Sequence, residues 1–279
     1  MNKEYKPFER SQQNYFSFWF PKVENCGIRV PKSVVVPVPV EVIHAFYMDK
    51  QDEDRATVEK FVKTEVLPKI AEFDINKPYF IKNGTFSNKF DANSSCLPSP
   101  SQNLTEAIIM VNYNSLCVEA NGEQELVIRE RIGYDSRITP CIYNGLPFRP
   151  EFRVFYDFDD QKVLFSVNYW DYDYIRRNPV DRLYDMTDKI IFDHETEKIT
   201  QTFDENKDKV EQLVNDAMAD VDELEGTWSV DLLLDEKGTF WLIDMAVAEQ
   251  SAYWEWRNGK KLINLPPDDV IEILIDKVD

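Results

Sequence analysis

The sequence predicts an α+β fold in two lobes, and three observations carry that reading. Strand-like and helix-like segments are mixed along the chain. Two hairpin signals fall late, around Asp159-Asp160-Gln161 and around Asp235-Glu236-Lys237-Gly238. The 279 residues, 43% hydrophobic and 13% aromatic, are enough for one large domain or two lobes sharing a core. The expected division is a smaller N-terminal lobe over residues 1–132 and a C-terminal lobe over 133–279. There is no internal repeat and no low-complexity linker.

The elements follow in order. The aromatic opening Tyr15-Phe16-Ser17-Phe18-Trp19-Phe20-Pro21 is too apolar to stay in water and is expected to pack as a short helix. Residues 33–47, rich in Val and carrying Pro37 and Pro39, suit an edge strand or an extended connector. Residues 54–73 space Val58, Phe61, Val62, Val66 and Ile70 along one side of a helix, with a distortion at Pro68. A strand over 78–82 leads into the polar loop 83–89, Thr105 is placed to cap a helix running to about Val118, and 125–132 forms another strand. In the second half, strands 150–158 and 162–172 make one hairpin, and strands 227–234 and 239–246 make another. Between them, Val210, Leu213, Val214, Ala217, Met218, Val221 and Leu224 step by three and four, predicting a helix over 203–224 with an acidic outer face. A short helix over 268–277 closes the chain.

Lys and Arg number 32 against 51 Asp and Glu, giving a net charge of −19. That balance argues against non-specific nucleic-acid binding and against lying on anionic lipid. Basic or neutral partners, a basic protein among them, are easier to reconcile with it. Only eight glycines are present, and neither a Walker-type nor a dinucleotide-type glycine loop occurs. Cys26, Cys96, Cys117 and Cys141 form no C-x-x-C pair, which suits neither a zinc site nor a disulfide framework and predicts reduced, partly buried thiols. No apolar run approaches the roughly 18 residues needed to cross a bilayer. The expected setting is cytoplasmic, with no membrane contact.

His44 and His194 are the only histidines, and no nucleophile-elbow motif lies near either. What remains is chemistry built from Lys, Arg and Asp, which suits nucleotide phosphates and Mg²⁺. Asp231 interrupts the apolar run Trp228-Ser229-Val230-Asp231-Leu232-Leu233-Leu234, and Asp244 interrupts Phe240-Trp241-Leu242-Ile243-Asp244-Met245-Ala246. Folding about Lys237-Gly238 brings the two carboxylates together, where they need a cation or a proton; alternatively each caps a turn or pairs with Arg. The cationic side is Lys82 at a strand end, Lys89 in the loop beyond, Arg129 within Leu126-Val127-Ile128-Arg129-Glu130, and Arg153 within Glu151-Phe152-Arg153-Val154-Phe155. Long cations inside apolar strands are costly unless matched.

These segments, in this order, resemble the ATP-grasp superfamily: Phe80-Ile81-Lys82, Thr85 through Ala92, Ile128-Arg129-Glu130, Glu151 through Phe155, Val230-Asp231 and Leu242-Ile243-Asp244. Within it, Phe18-Trp19-Phe20-Pro21-Lys22 and Val34-Val35-Val36-Pro37-Val38-Pro39 look like the start of the eukaryotic cell-division-cycle D-type chaperones that assemble translation initiation factor two, and of their phage and bacterial relatives. The resemblance implies two lobes whose antiparallel sheets sandwich ATP·Mg²⁺. Lys82 and Lys89 would reach the phosphates, and the strand end carrying Glu130 and Ile132 would form the adenine hinge. Arg129 would join the nucleotide site, Arg153 would contact the terminal phosphate or an acyl phosphate, and Asp231 and Asp244 would hold Mg²⁺. Arg153 and Lys89 are the residues implied in catalysis. Where ATP-grasp proteins usually place Asn two residues after the last acidic ligand, this chain has Ala246, with Glu249 as the nearby replacement.

The resemblance implies a ligase that phosphorylates a carboxylate, on a small molecule or a protein, and passes the acyl group to an amine or other nucleophile. The alternative is an ATP-binding assembly chaperone for a protein partner, without ligase chemistry.

Overall fold

Antiparallel pairing organises both halves of the chain. The structure, a computed structural model, describes residues 12–74, 77–97, 104–118, 120, 122–177 and 185–259. The first half contains α1 (Phe16–Val23), β1 (Ser33–Pro37), α2 (Val40–Ala45), α3 (Gln51–Phe61), α4 (Leu67–Ile70), β2 (Tyr79–Asn83), α5 (Ala92–Ser95), β3 (Cys96–Leu97), α6 (Leu104–Cys117) and β4 (Glu125–Glu130). The second half contains β5 (Cys141–Ile142), β6 (Leu146–Pro147), β7 (Glu151–Asp157), β8 (Lys162–Asn168), α7 (Tyr172–Arg177), α8 (Met186–Met218), β9 (Thr227–Leu234) and β10 (Phe240–Val247).

The first sheet has the order β1-β4-β2-β3 and the second β10-β9-β7-β8, all antiparallel. Alternation along the strands sends opposite faces to different cores. In the first sheet Ile81, Leu126 and Ile128 face a core made with α2, α3 and α6, while Val127 faces the other way and joins the core of the second half. In the second sheet Phe152, Val154, Val230 and Leu232 bury against Val210, Val214 and Met218 of α8. Helix α1 packs Phe16, Trp19, Phe20 and Val23 into that same core. This leaves the Lys82 and Arg129 side of one sheet looking toward the second half.

Several expectations are corrected. Residues 33–47 give a strand only to Pro37, on the sheet edge, because Pro39 then stands at the N-cap of α2. The helix distortion falls one turn before Pro68, as a π-helical turn over Val62–Val66 in which Leu67 N–H reaches Val62 C=O. Pro68 sits at the start of α4, where its missing N–H is tolerated. Thr105 lies inside α6 rather than before it. The acidic helix spans Met186–Met218 instead of 203–224: the Asp185 carboxylate caps Thr187 and Asp188 N–H at 2.7 and 3.2 Å, and Val221 and Leu224 are buried beyond the helix end. The expected helix over 268–277 lies outside the described residues. All four cysteines are free; Cys117 is exposed, the others half-buried. Among the described residues, no helix is long and apolar enough to cross a membrane.

Candidate functional site

Three strands of the second sheet put charge on one line. Arg153 of β7 lies opposite Asp231 of β9, and Asp231 lies opposite Asp244 of β10. Directly opposed residues share a face, so this row stands on the side away from α8. The Asp231–Asp244 match depends on a register shift between Leu242 and Asp244. With regular pairing from Leu242–Leu232 onward, Ile243 would face Asp231 and Asp244 would point into the core with Val230. The extra residue moves the aspartate to the other face.

Each carboxylate has its own cation. Arg153 binds Asp231 through two parallel contacts, Nε to Oδ1 at 2.8 Å and Nη2 to Oδ2 at 2.7 Å. Burial alone would lower the Arg153 pKa; the charge and hydrogen bonds of Asp231 outweigh it and raise it. Lys82, from β2 of the first sheet, donates to Asp244 Oδ1 at 3.0 Å and Oδ2 at 2.9 Å. Lys82 is 2% exposed.

The other cations also cross between the two halves of the chain. Arg129 donates from Nη1 to the Ile243 carbonyl, at the register shift, and from Nε to Ser33 Oγ at 3.1 Å. Its Nη2 is buried with no hydrogen-bond partner, and burial lowers its pKa to about 10 against the attraction of Asp244. Lys89 bonds the Tyr169 hydroxyl and lies 4.1 Å from that ring's centroid, where Arg153 Cζ lies 4.8 Å away.

The loop carrying Lys89 is held by its own polar side chains. Asn83 Oδ1 accepts from Thr85 and Phe86 N–H at 3.2 and 2.8 Å, while Asn114 Nδ2 donates to Asn88 Oδ1 at 3.0 Å. Gly84 is required by close approach, since a Cβ there would lie 2.6 Å from both Glu125 Cγ and Tyr15 Cδ1.

The structure thus brings Lys82, Arg129, Arg153, Asp231 and Asp244 together, with Lys89 on the Tyr169 side. The strand of the expected hinge ends at Glu130; Arg131 N–H still reaches Pro78 C=O at 2.9 Å, and Ile132 lies beyond the strand. The Glu130 carboxylate pairs with Lys77 at 3.3 Å. Glu249 lies exposed in the turn Ala248–Gln250, and no group of three acidic, His or Cys side chains able to hold a metal occurs among the described residues. Glu249 therefore does not complete a three-ligand set with the aspartates.

Two residues were not legible as site members. Tyr169 receives Lys89 from the other half of the chain. Glu151, two positions before Arg153 on the same face, is half-buried, and burial pushes its carboxyl up to about 7, with Asp231 adding to the rise and Lys89, Arg149 and Arg153 opposing it. The motif Glu151-Phe152-Arg153 contained the only sequence signal for it. A separate open groove of about 570 Å³ lies along α8, lined by Glu197, Thr200, Gln201, Asp204 and Glu205.

No family model matches the sequence, and no curated protein matches it. Solved structures do. The fold is similar to Cdc123 from Schizosaccharomyces pombe, with a TM-score of 0.53 at 13% identity over 95% of this chain and 97% of that one. A biotin carboxylase–βγ-ATP complex from Campylobacter jejuni gives 0.47 at 9% identity, over 91% of this chain and 45% of that one. A RimK domain ATP-grasp protein from Sphaerobacter thermophilus gives 0.38 at 11% identity, over 89% and 64%. In fold, this chain is an α+β protein similar to Cdc123 from Schizosaccharomyces pombe.

Proposed function

We propose that the chain binds ATP with Mg²⁺ between its two sheets and acts as an ATP-grasp ligase, joining a carboxylate to an amine or other nucleophile through an acyl phosphate. The observation that supports this is the row Arg153–Asp231–Asp244 met by Lys82 from the opposite sheet. The donor set fits the ligands. Arg129 keeps a buried N–H without a partner, which a phosphate oxygen would satisfy. Asp244 Oδ2 and both Asp231 oxygens retain a lone pair beyond the one their cation uses, while Asp244 Oδ1 also accepts from Met245 N–H at 3.1 Å; oxygen is what Mg²⁺ prefers.

In this reading Asp231 and Asp244 hold Mg²⁺, which when bound neutralises phosphate charge. Lys82 and Lys89 grip the polyphosphate as point charges, and Arg153 orients the terminal phosphate toward the acceptor carboxylate. Backbone groups from Glu130 to Ile132 take the adenine, at the proposed division between lobes 1–132 and 133–279. The acceptor is a carboxylate on a small molecule or a protein, and the setting is cytoplasmic. A structure with a non-hydrolysable ATP analogue and Mg²⁺ tests the site: the phosphates belong among Lys82, Arg129 and Arg153, and a nucleotide bound elsewhere removes the assignment.

A second reading, an ATP-dependent assembly factor for a protein partner, is favoured by Ala246 and by the lack of a third acidic ligand among the described residues. The acidic groove on α8 then suits a basic partner. ADP release measured against a panel of carboxylates and amines separates the two: acceptor-dependent release supports the ligase, and tight ATP binding without turnover supports the assembly factor.

A further inference from the structure

We propose that Lys82 stands in for the metal at Asp244, so that the nucleotide-free protein refuses free divalent cations and accepts one only together with a polyphosphate. This rests on the ATP·Mg²⁺ reading above and concerns how that site is loaded.

Asp231 and Asp244 face Arg153 and Lys82, so two carboxylates are matched by two cations within the row. A dication arriving alone adds two positive charges to a balanced, largely buried group, a costly change. It also meets the Lys82 ammonium within hydrogen-bond distance of both Asp244 oxygens.

Lys82 has no route of retreat. Its side chain is 2% exposed, and Phe16 lies 5.8 Å away at its ring centroid. It cannot swing into water as a surface lysine would; it can only exchange one anion for another. A polyphosphate supplies that second anion. Once Lys82 turns to phosphate, Asp244 is released to the metal, and the added negative charge compensates the metal's own.

Arg129 is held by the Ile243 carbonyl and Lys89 by the Tyr169 hydroxyl, each reaching from the first half of the chain to the second. Polyphosphate therefore competes with contacts that join the two halves of the chain.

The proposal makes a prediction of unusual sign: removing the Lys82 charge should improve binding of a bare metal while impairing binding of nucleotide. Mn²⁺ serves as the probe, followed by electron paramagnetic resonance on the full chain with and without AMP-PNP. Wild type is expected to hold no Mn²⁺ at sub-millimolar concentration alone and about one with AMP-PNP. Lys82→Gln is expected to bind Mn²⁺ alone at least tenfold more tightly than wild type, to bind AMP-PNP at least tenfold more weakly, and to lose the metal gain when Asp244→Asn is added. Lys82→Met, which keeps the stem's length, replaces it should the glutamine variant not fold. Equal Mn²⁺ affinity in wild type and the Lys82 variants overturns the proposal, as does wild-type Mn²⁺ binding that ignores AMP-PNP. Failure of AMP-PNP to bind at all removes the nucleotide reading instead, while the metal-only comparison still reports on Lys82.

Discussion

Asp244 stands opposite Asp231 because the strand carrying it gains one residue between Leu242 and Asp244. Without that shift the aspartate would share the core face of Leu242 and Val230, where a carboxylate has no partner. The displaced Ile243 carbonyl is not wasted, since Arg129 donates to it. One irregularity thus aims a carboxylate and anchors a guanidinium from the other sheet, which is how the two halves come to share one charged row.

Lys82→Ala is expected to weaken ATP·Mg²⁺ binding by roughly 10- to 150-fold, the effect of losing a charge-assisted contact worth about 1.5–3 kcal/mol. His44→Ala and Cys117→Ala, both at exposed positions away from the row, should leave it unchanged. Titration calorimetry on the three variants checks this, and equal affinities would discard the phosphate role of Lys82.

Arg153→Met should destabilise the protein by about 3–5 kcal/mol, because Asp231 would remain buried without its bidentate partner. Arg153→Lys keeps the charge but loses the fork and should fall between the two. Urea unfolding gives the ranking; a methionine variant as stable as wild type would show that the pair is not what keeps Asp231 buried.

Glu151 gives a pH dependence of definite sign. Its carboxyl is raised from 4.5 to about 7 in the folded chain, so the folded state holds a proton that the unfolded state releases across that window. Its contribution is greatest below pH 4.5 and falls as pH rises through about 7, by about 3 kcal/mol in all. The difference in unfolding free energy between wild type and Glu151→Gln isolates this from other carboxylates. Wild type should lose ground to the variant from pH 5 to 7.5, and a constant difference would mean that Glu151 titrates normally.

Local chemistry in the sequence accounts for much of the fold. The β9–β10 hairpin follows from Gly238, which adopts φ +77°, and from Asp235, whose carboxylate accepts from Lys237 and Thr239 N–H. The N-terminal half of α8, before residue 203, is not visible in the sequence because Met186 and Ile190 are exposed, so the apolar stripe thins out there. Asp185 ahead of Met186 was the available start signal. At the candidate site, residue types and rough neighbourhoods could be read, but destinations could not. Lys82 meets Asp244 across 162 positions, and no local period encodes that. Nor does the apolar run around Ile243 announce that its register will shift.

The most direct test of the central claim is calorimetry of the full chain with ATP, with and without Mg²⁺. The account predicts sub-millimolar binding of about one ATP in the presence of Mg²⁺, much weaker binding without it, and loss of the Mg²⁺ dependence in Asp244→Asn. No detectable binding at millimolar ATP with Mg²⁺ present would contradict it.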